Sequence, residues 1–100
     1  MRLTNEQISD ILEATTKIGG PDVEVLLFGS RLDDSARGGD VDLFIETDVG
    51  LSVLERAQIK ATLEERLGLP VDVVAVERHS RLTPFQSIAK SGAVRLEADP

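Results

Sequence analysis

A short polar gap between two apolar runs does most to limit the folds open to this chain. Val23–Phe28 is a nearly continuous apolar run containing β-branched residues, and Val41–Ile45 is a second. Both read as strands. Between Ser30 and Asp40 lie nine residues, RLDDSARGG, largely polar and holding two glycines. A parallel crossover takes a dozen or more residues, so the two strands run antiparallel if they are neighbours. The gap is a loop with room for one helical turn starting at Ser30. A third run, Val71–Val76, is polar only at Asp72. The segment before it is long enough to hold a helix, so strands two and three can be parallel and joined right-handedly. The result is a mixed sheet. It sets the end of strand one beside the starts of strands two and three, and Gly29, Ser30, Asp40, Asp42 and Asp72 meet at that edge.

Three helices are expected around the sheet. Thr4 and Gln7 form a capping-box pair before Ile8, Ile11, Leu12 and Ile18 at helical spacing, and Gly19-Gly20-Pro21 stops that helix. Ser52 and Glu55 repeat the capping pair, with Val53, Leu54, Ala57, Ala61, Leu63 and Leu67 expected along one broad apolar side before Gly68 and Pro70. Thr83-Pro84 opens a short helix that turns Phe85, Ile88 and Ala89 inward and closes at Gly92. Val94–Leu96 reads as a short edge strand. The expected fold is a single α+β domain over residues 1–100, a small mixed sheet packed against helices in two layers.

The charge balance limits the ligands. Eleven basic residues face eighteen acidic ones, a net charge of −7. A domain that tracks a nucleic-acid backbone shows the opposite sign, and three Phe with no Trp or Tyr give few stacking platforms. Long nucleic acid is therefore set aside, whereas a nucleotide carried with Mg²⁺ is compatible because the metal offsets both sets of charges. With no apolar run near membrane-spanning length, no secretory core in MRLTNEQISD and no cysteine, the chain is expected to be cytoplasmic.

The chemistry gathers between Leu26 and Glu46. Gly29-Ser30 at a strand end can offer backbone N–H groups and a hydroxyl to a phosphate. Asp40 and Asp42, spaced i, i+2 on a strand, point to one side and can hold a divalent metal. The plain alternative makes Asp40 a turn residue and Asp42 solvent-facing. Asp is a poor strand former, however, and a buried carboxylate needs a cation or a donor. Asp72 is either a strand-start cap or a third carboxylate that completes a metal site or serves as general base. Arg31 and Arg37 flank the phosphate site, either as neutralising groups or as solvated loop residues. His79, in ERHSR, reads as a surface-loop residue. No P-loop and no G-x-G-x-x-G is present.

In combination, FGSRLDDSARGGDVDLFIE and PVDVVAVE resemble the nucleotidyltransferase superfamily of DNA polymerase beta type: Gly-Ser, a spacer, Asp-x-Asp and a later strand carboxylate. The size and element order look most like a minimal nucleotidyltransferase (MNT) domain, the antitoxin half of HEPN/MNT toxin–antitoxin pairs. That resemblance implies the nucleotidyltransferase fold and a two-metal mechanism. Asp40, Asp42 and Asp72 would be the catalytic, Mg²⁺-holding carboxylates. Gly29, Ser30 and Arg31 would bind the phosphates of ATP or another nucleoside triphosphate. Asp72 would also help take the proton of the attacking hydroxyl. It further implies a HEPN-type toxin ribonuclease as partner and as acceptor of AMP on a tyrosine. This chain has no Tyr of its own, so such an acceptor must lie on the partner, and an acidic surface suits a basic RNase. Two other functions are consistent with the sequence. One is a non-catalytic module that neutralises a partner by binding it. The other is a small-molecule, aminoglycoside-type nucleotidyltransferase whose acceptor site is completed by dimerisation. The base, the acceptor and the oligomeric state, a homo-oligomer included, stay open.

Overall fold

The computed structural model describes residues 1–35 and 39–98. In chain order they form α1 (Asn5–Gly19), β1 (Glu24–Phe28), a single 3-10 turn (Gly29–Leu32), β2 (Val41–Thr47), α2 (Val53–Leu67), β3 (Val71–Glu77), α3 (Pro84–Ser91) and β4 (Val94–Arg95). All three helices open on a capping box, at Thr4 with Gln7, Ser52 with Glu55, and Thr83 with Gln86. Each box satisfies two backbone N–H groups that a helix start leaves without partners. Gly68 ends α2 in the left-handed region, at φ +67°.

The four strands lie in the order β3-β2-β1-β4. β1 pairs antiparallel with β2, as the short loop between them demands, and β2 pairs parallel with β3 through the α2 crossover. β4 closes the other edge antiparallel to β1. This is the mixed sheet expected from the loop lengths.

Alternation along the strands sends two residue sets to opposite faces. Val25, Leu27, Val41, Leu43, Ile45 and Val71 meet Ile8 and Ile11 of α1 and Ile59 and Leu63 of α2 in the main core. On the other face Phe44 and Val76 pack with Ala89 of α3, flanked by the partly buried Leu26, Phe28, Val74 and Leu82. α3 is short, so it covers only part of this face.

Two helix faces differ from expectation. In α2, Val53 and Leu54 are exposed, as are Ala57 and Ala61, and the buried side chains are Ile59 and Leu63. The helix lies on the sheet along a stripe of four-residue steps from Leu51 through Glu55, Ile59 and Leu63 to Leu67, and its other apolar residues fall off that stripe. In α3 only Ala89 is buried, while Phe85 and Ile88 are 61% and 74% exposed.

Ion pairs tie down the end of the sheet away from Gly29. Arg78 lies 3.5 Å from Glu24 and 3.8 Å from Asp22, and it pairs with Asp48. Asp48 N–H donates to Asp22 Oδ2 at 2.8 Å, and that bond is the largest cause of the lowered Asp22 pKa. His79 sits in the exposed turn beyond, at φ +67°. Among the described residues, no helix is long and apolar enough to cross a membrane.

Candidate functional site

At the other end of the sheet, three strands bring one residue each into line. Phe28 pairs with Asp42 across β1 and β2, and Asp42 pairs with Asp72 across β2 and β3. Asp42 and Asp72 therefore stand side by side on the face away from α1 and α2, and Asp40 precedes Asp42 by two residues. Asp42 is half-buried, whereas Asp40 and Asp72 are exposed.

Gly29 is held against this row. Its φ is +80°, and a Cβ there would come within 2.2 Å of Asp42 Oδ2. Both the backbone conformation and the close approach call for glycine. The far end of the loop repeats the device. Gly39 has φ +93°, and a Cβ on it would lie 2.3 Å from Ser30 Oγ. The exposed Ser30 thus has its hydroxyl against the backbone leading to Asp40, which brings the Gly-Ser and Asp-x-Asp segments together in space.

Arg31 is engaged with the backbone on both sides of the loop. Its guanidinium donates to the carbonyls of Gly39 at 3.1 Å and Arg2 at 3.3 Å. Arg2 in turn donates to the carbonyls of Ser30 and Asp33, at 3.0 and 2.9 Å. The two arginines staple the start of the loop to its end and to the N-terminal segment. Arg37 lies outside the described residues.

Lys60 of α2 is a residue that spacing did not single out. It donates to the Val71 carbonyl and lies 3.8 Å from Asp72 Oδ1, while Glu64 accepts the Val71 N–H at 3.0 Å. Lys60 and Glu64 form an i,i+4 pair at 3.5 Å, an ordinary helix-surface pattern. Only the fold gives it a role, which is to clamp the start of β3 where Asp72 projects.

Electrostatics mark Asp42. Its pKa is raised, first by burial, then by the charge and hydrogen-bonding contact of Asp72, and last by Asp40. Negative charge is concentrated here faster than the protein compensates it. Among the described residues, no group of three or more His, Asp or Glu side chains is placed to hold a metal ion. Mg²⁺ does not need one, because it is commonly held by one or two carboxylates with water and substrate phosphates supplying the rest. An all-oxygen carboxylate pair suits that ion, and Asp42 with its register neighbour Asp72 could hold it, with Asp40 two residues before Asp42.

Comparison with known proteins bears on the family and the fold. A family model described as polymerase beta nucleotidyltransferase matches residues 6–100. No curated protein matches the chain significantly. Among solved structures, the chain is similar to the MNT antitoxin in complex with a tri-AMPylated HEPN toxin from Shewanella oneidensis. The TM-score is 0.70 at 18% identity, over 96% of this chain and 74% of that one. It is also similar to a chain of the toxin–antitoxin complex MntA-HpeT, a mutant in which two aspartates are replaced by glutamate. There the TM-score is 0.68 at 19% identity, over 97% of this chain and 75% of that one. At such identities the likeness speaks for the fold, and the family model speaks for descent. The chain belongs to the polymerase beta nucleotidyltransferase family.

Proposed function

We propose that this protein transfers a nucleoside monophosphate, AMP from ATP, to a hydroxyl group of a HEPN-type toxin and thereby acts as its antitoxin. The observation that carries this reading is the row Gly29–Asp42–Asp72, a glycine closed onto one carboxylate that stands in register with another. Gly29 and Ser30 hold the triphosphate. Asp40, Asp42 and Asp72 would hold Mg²⁺ together with the substrate phosphates, and the ion would supply charge neutralisation there. A partner hydroxyl attacks the α-phosphorus, a new P–O bond forms, and the bond to the β-phosphate breaks to release pyrophosphate. Asp72, exposed and beside Asp42, accepts the hydroxyl proton. Most of the catalysis comes from positioning and electrostatic stabilisation. Arg31 serves from behind the site by holding the Ser30 loop closed on Gly39.

The choice of acceptor draws on the solved neighbour in which the HEPN toxin is AMPylated and on the absence of Tyr in this chain. The test is incubation with labelled ATP, Mg²⁺ and a HEPN-type toxin as candidate partner. Label is expected on that partner and is lost with Asp42→Asn. If Asp40→Asn/Asp42→Asn still neutralises the toxin without labelling it, the transfer account fails and binding alone is the mechanism.

A further inference from the structure

The face of the sheet that carries Asp42 and Asp72 also carries an apolar hollow. Phe28, Leu32, Phe85, Ile88 and Ala89 line a cavity of about 290 Å³ that borders Gly29. No side chain in its lining is polar. Phe28 and Phe85 meet edge to face, with ring centroids 6.4 Å apart and planes at 75°. The chain has only three aromatic residues, and the third, Phe44, is buried on this same face among the residues that pack around Phe28. Phe85 and Ile88 contribute little to the core, being 61% and 74% exposed.

The hollow joins the carboxylate row at two points. Phe28 pairs with Asp42 in the β1–β2 register, and Gly29 belongs both to the cavity wall and to the contact with Asp42. A triphosphate held at Gly29-Ser30 would lie next to this wall, which carries aromatic rings and no charge.

We infer that the Phe28–Phe85 hollow is the nucleobase subsite, and that it selects purines over pyrimidines without distinguishing adenine from guanine. The inference rests on the nucleotidyltransferase reading above and extends it to the base. Base discrimination needs side-chain donors or acceptors placed at the base edge, and apolar walls supply only contact area and stacking. Purines offer more of both. The open rim leaves the polar edge of either purine in water.

Titration calorimetry with Mg²⁺ tests this on the wild type and on Phe85→Ala, using ATP, GTP, UTP and inorganic tripolyphosphate. ATP and GTP are expected to bind within about threefold of each other and UTP about tenfold more weakly, from the stacking contribution of one base. Phe85→Ala should weaken both purine nucleotides by roughly tenfold and leave tripolyphosphate unchanged. Phe85 is exposed, so the variant should fold, which circular dichroism checks, and Ile88→Ala should show a smaller loss of the same kind. Unchanged ATP affinity in Phe85→Ala overturns the subsite, even if the variant loses its grip on a protein partner. Strong preference for ATP over GTP overturns the selectivity. Failure of wild type to bind either ATP or tripolyphosphate overturns the nucleotide reading itself.

Discussion

Gly29 shows how one missing side chain can fix a site. Its left-handed backbone costs any other L-residue about 1–2 kcal/mol, and the space a Cβ would take is already held by Asp42 Oδ2. Gly29→Ala should therefore lose roughly 1–2 kcal/mol of stability in chemical unfolding. It should also abolish transfer, because the carboxylate must swing aside. Asp42 gives the opposite sign in stability. Burial and its acidic neighbours raise its pKa, so its folded-state value lies above the unfolded one. Its stabilising contribution is then complete only below the unfolded pKa and is lost as pH rises through the folded value. At neutral pH without divalent metal, Asp42→Asn should melt at a higher temperature than wild type, and the gap should close in melts taken at increasingly acid pH. The residues in both predictions stood out in the sequence, since Asp among strand formers demands an explanation. Arg31 was legible as a cation near the loop but not as its staple, because the carbonyls it reaches belong to Arg2 and Gly39.

At the scale of elements, capping signals placed all three helices and loop length set both strand pairings. Helix orientation was the harder matter. The apolar residues of α2 are too many and too spread for periodicity to choose among faces, and the Leu51-to-Leu67 stripe becomes unique only once the sheet lies beneath it. Ile59→Ala, at a fully buried position, should cost about 2–5 kcal/mol. Val53→Ala and Leu54→Ala should cost well under about 1 kcal/mol, although all three sit in one helix, and denaturant midpoints measure the contrast. For α3 the expectation of three inward side chains assumed that an amphipathic helix buries its whole apolar face. Only Ala89 reaches Phe44 and Val76, and Phe85 and Ile88 are left to wall the hollow beside Gly29. The gap between pattern and burial in α3 is thus the clue to the base subsite.

For the whole molecule, acidity has two parts that experiment can separate. The net charge of −7 is spread over the surface and disfavours the compact state by self-repulsion. The cluster at Asp40, Asp42 and Asp72 is local and, with Lys60 only 3.8 Å from Asp72, still short of positive charge. Sodium chloride screens the first kind, since exposed charges beyond a Debye length of about 8 Å at physiological ionic strength no longer interact strongly. A divalent ion bound there by the folded state alone would answer the second, adding stability as RT ln(1 + [L]/Kd), about 2.7 kcal/mol at one hundred times Kd. Melting temperature should therefore rise modestly with sodium chloride in wild type and in Asp42→Asn alike. Millimolar Mg²⁺ at matched ionic strength should add several degrees in wild type and little in the variant. Equal responses of the two proteins to Mg²⁺ would mean that the carboxylate row binds no metal without nucleotide. The ion and the triphosphate would then have to arrive as one complex, and the Mg²⁺-dependent difference between wild type and variant should emerge only when ATP is added.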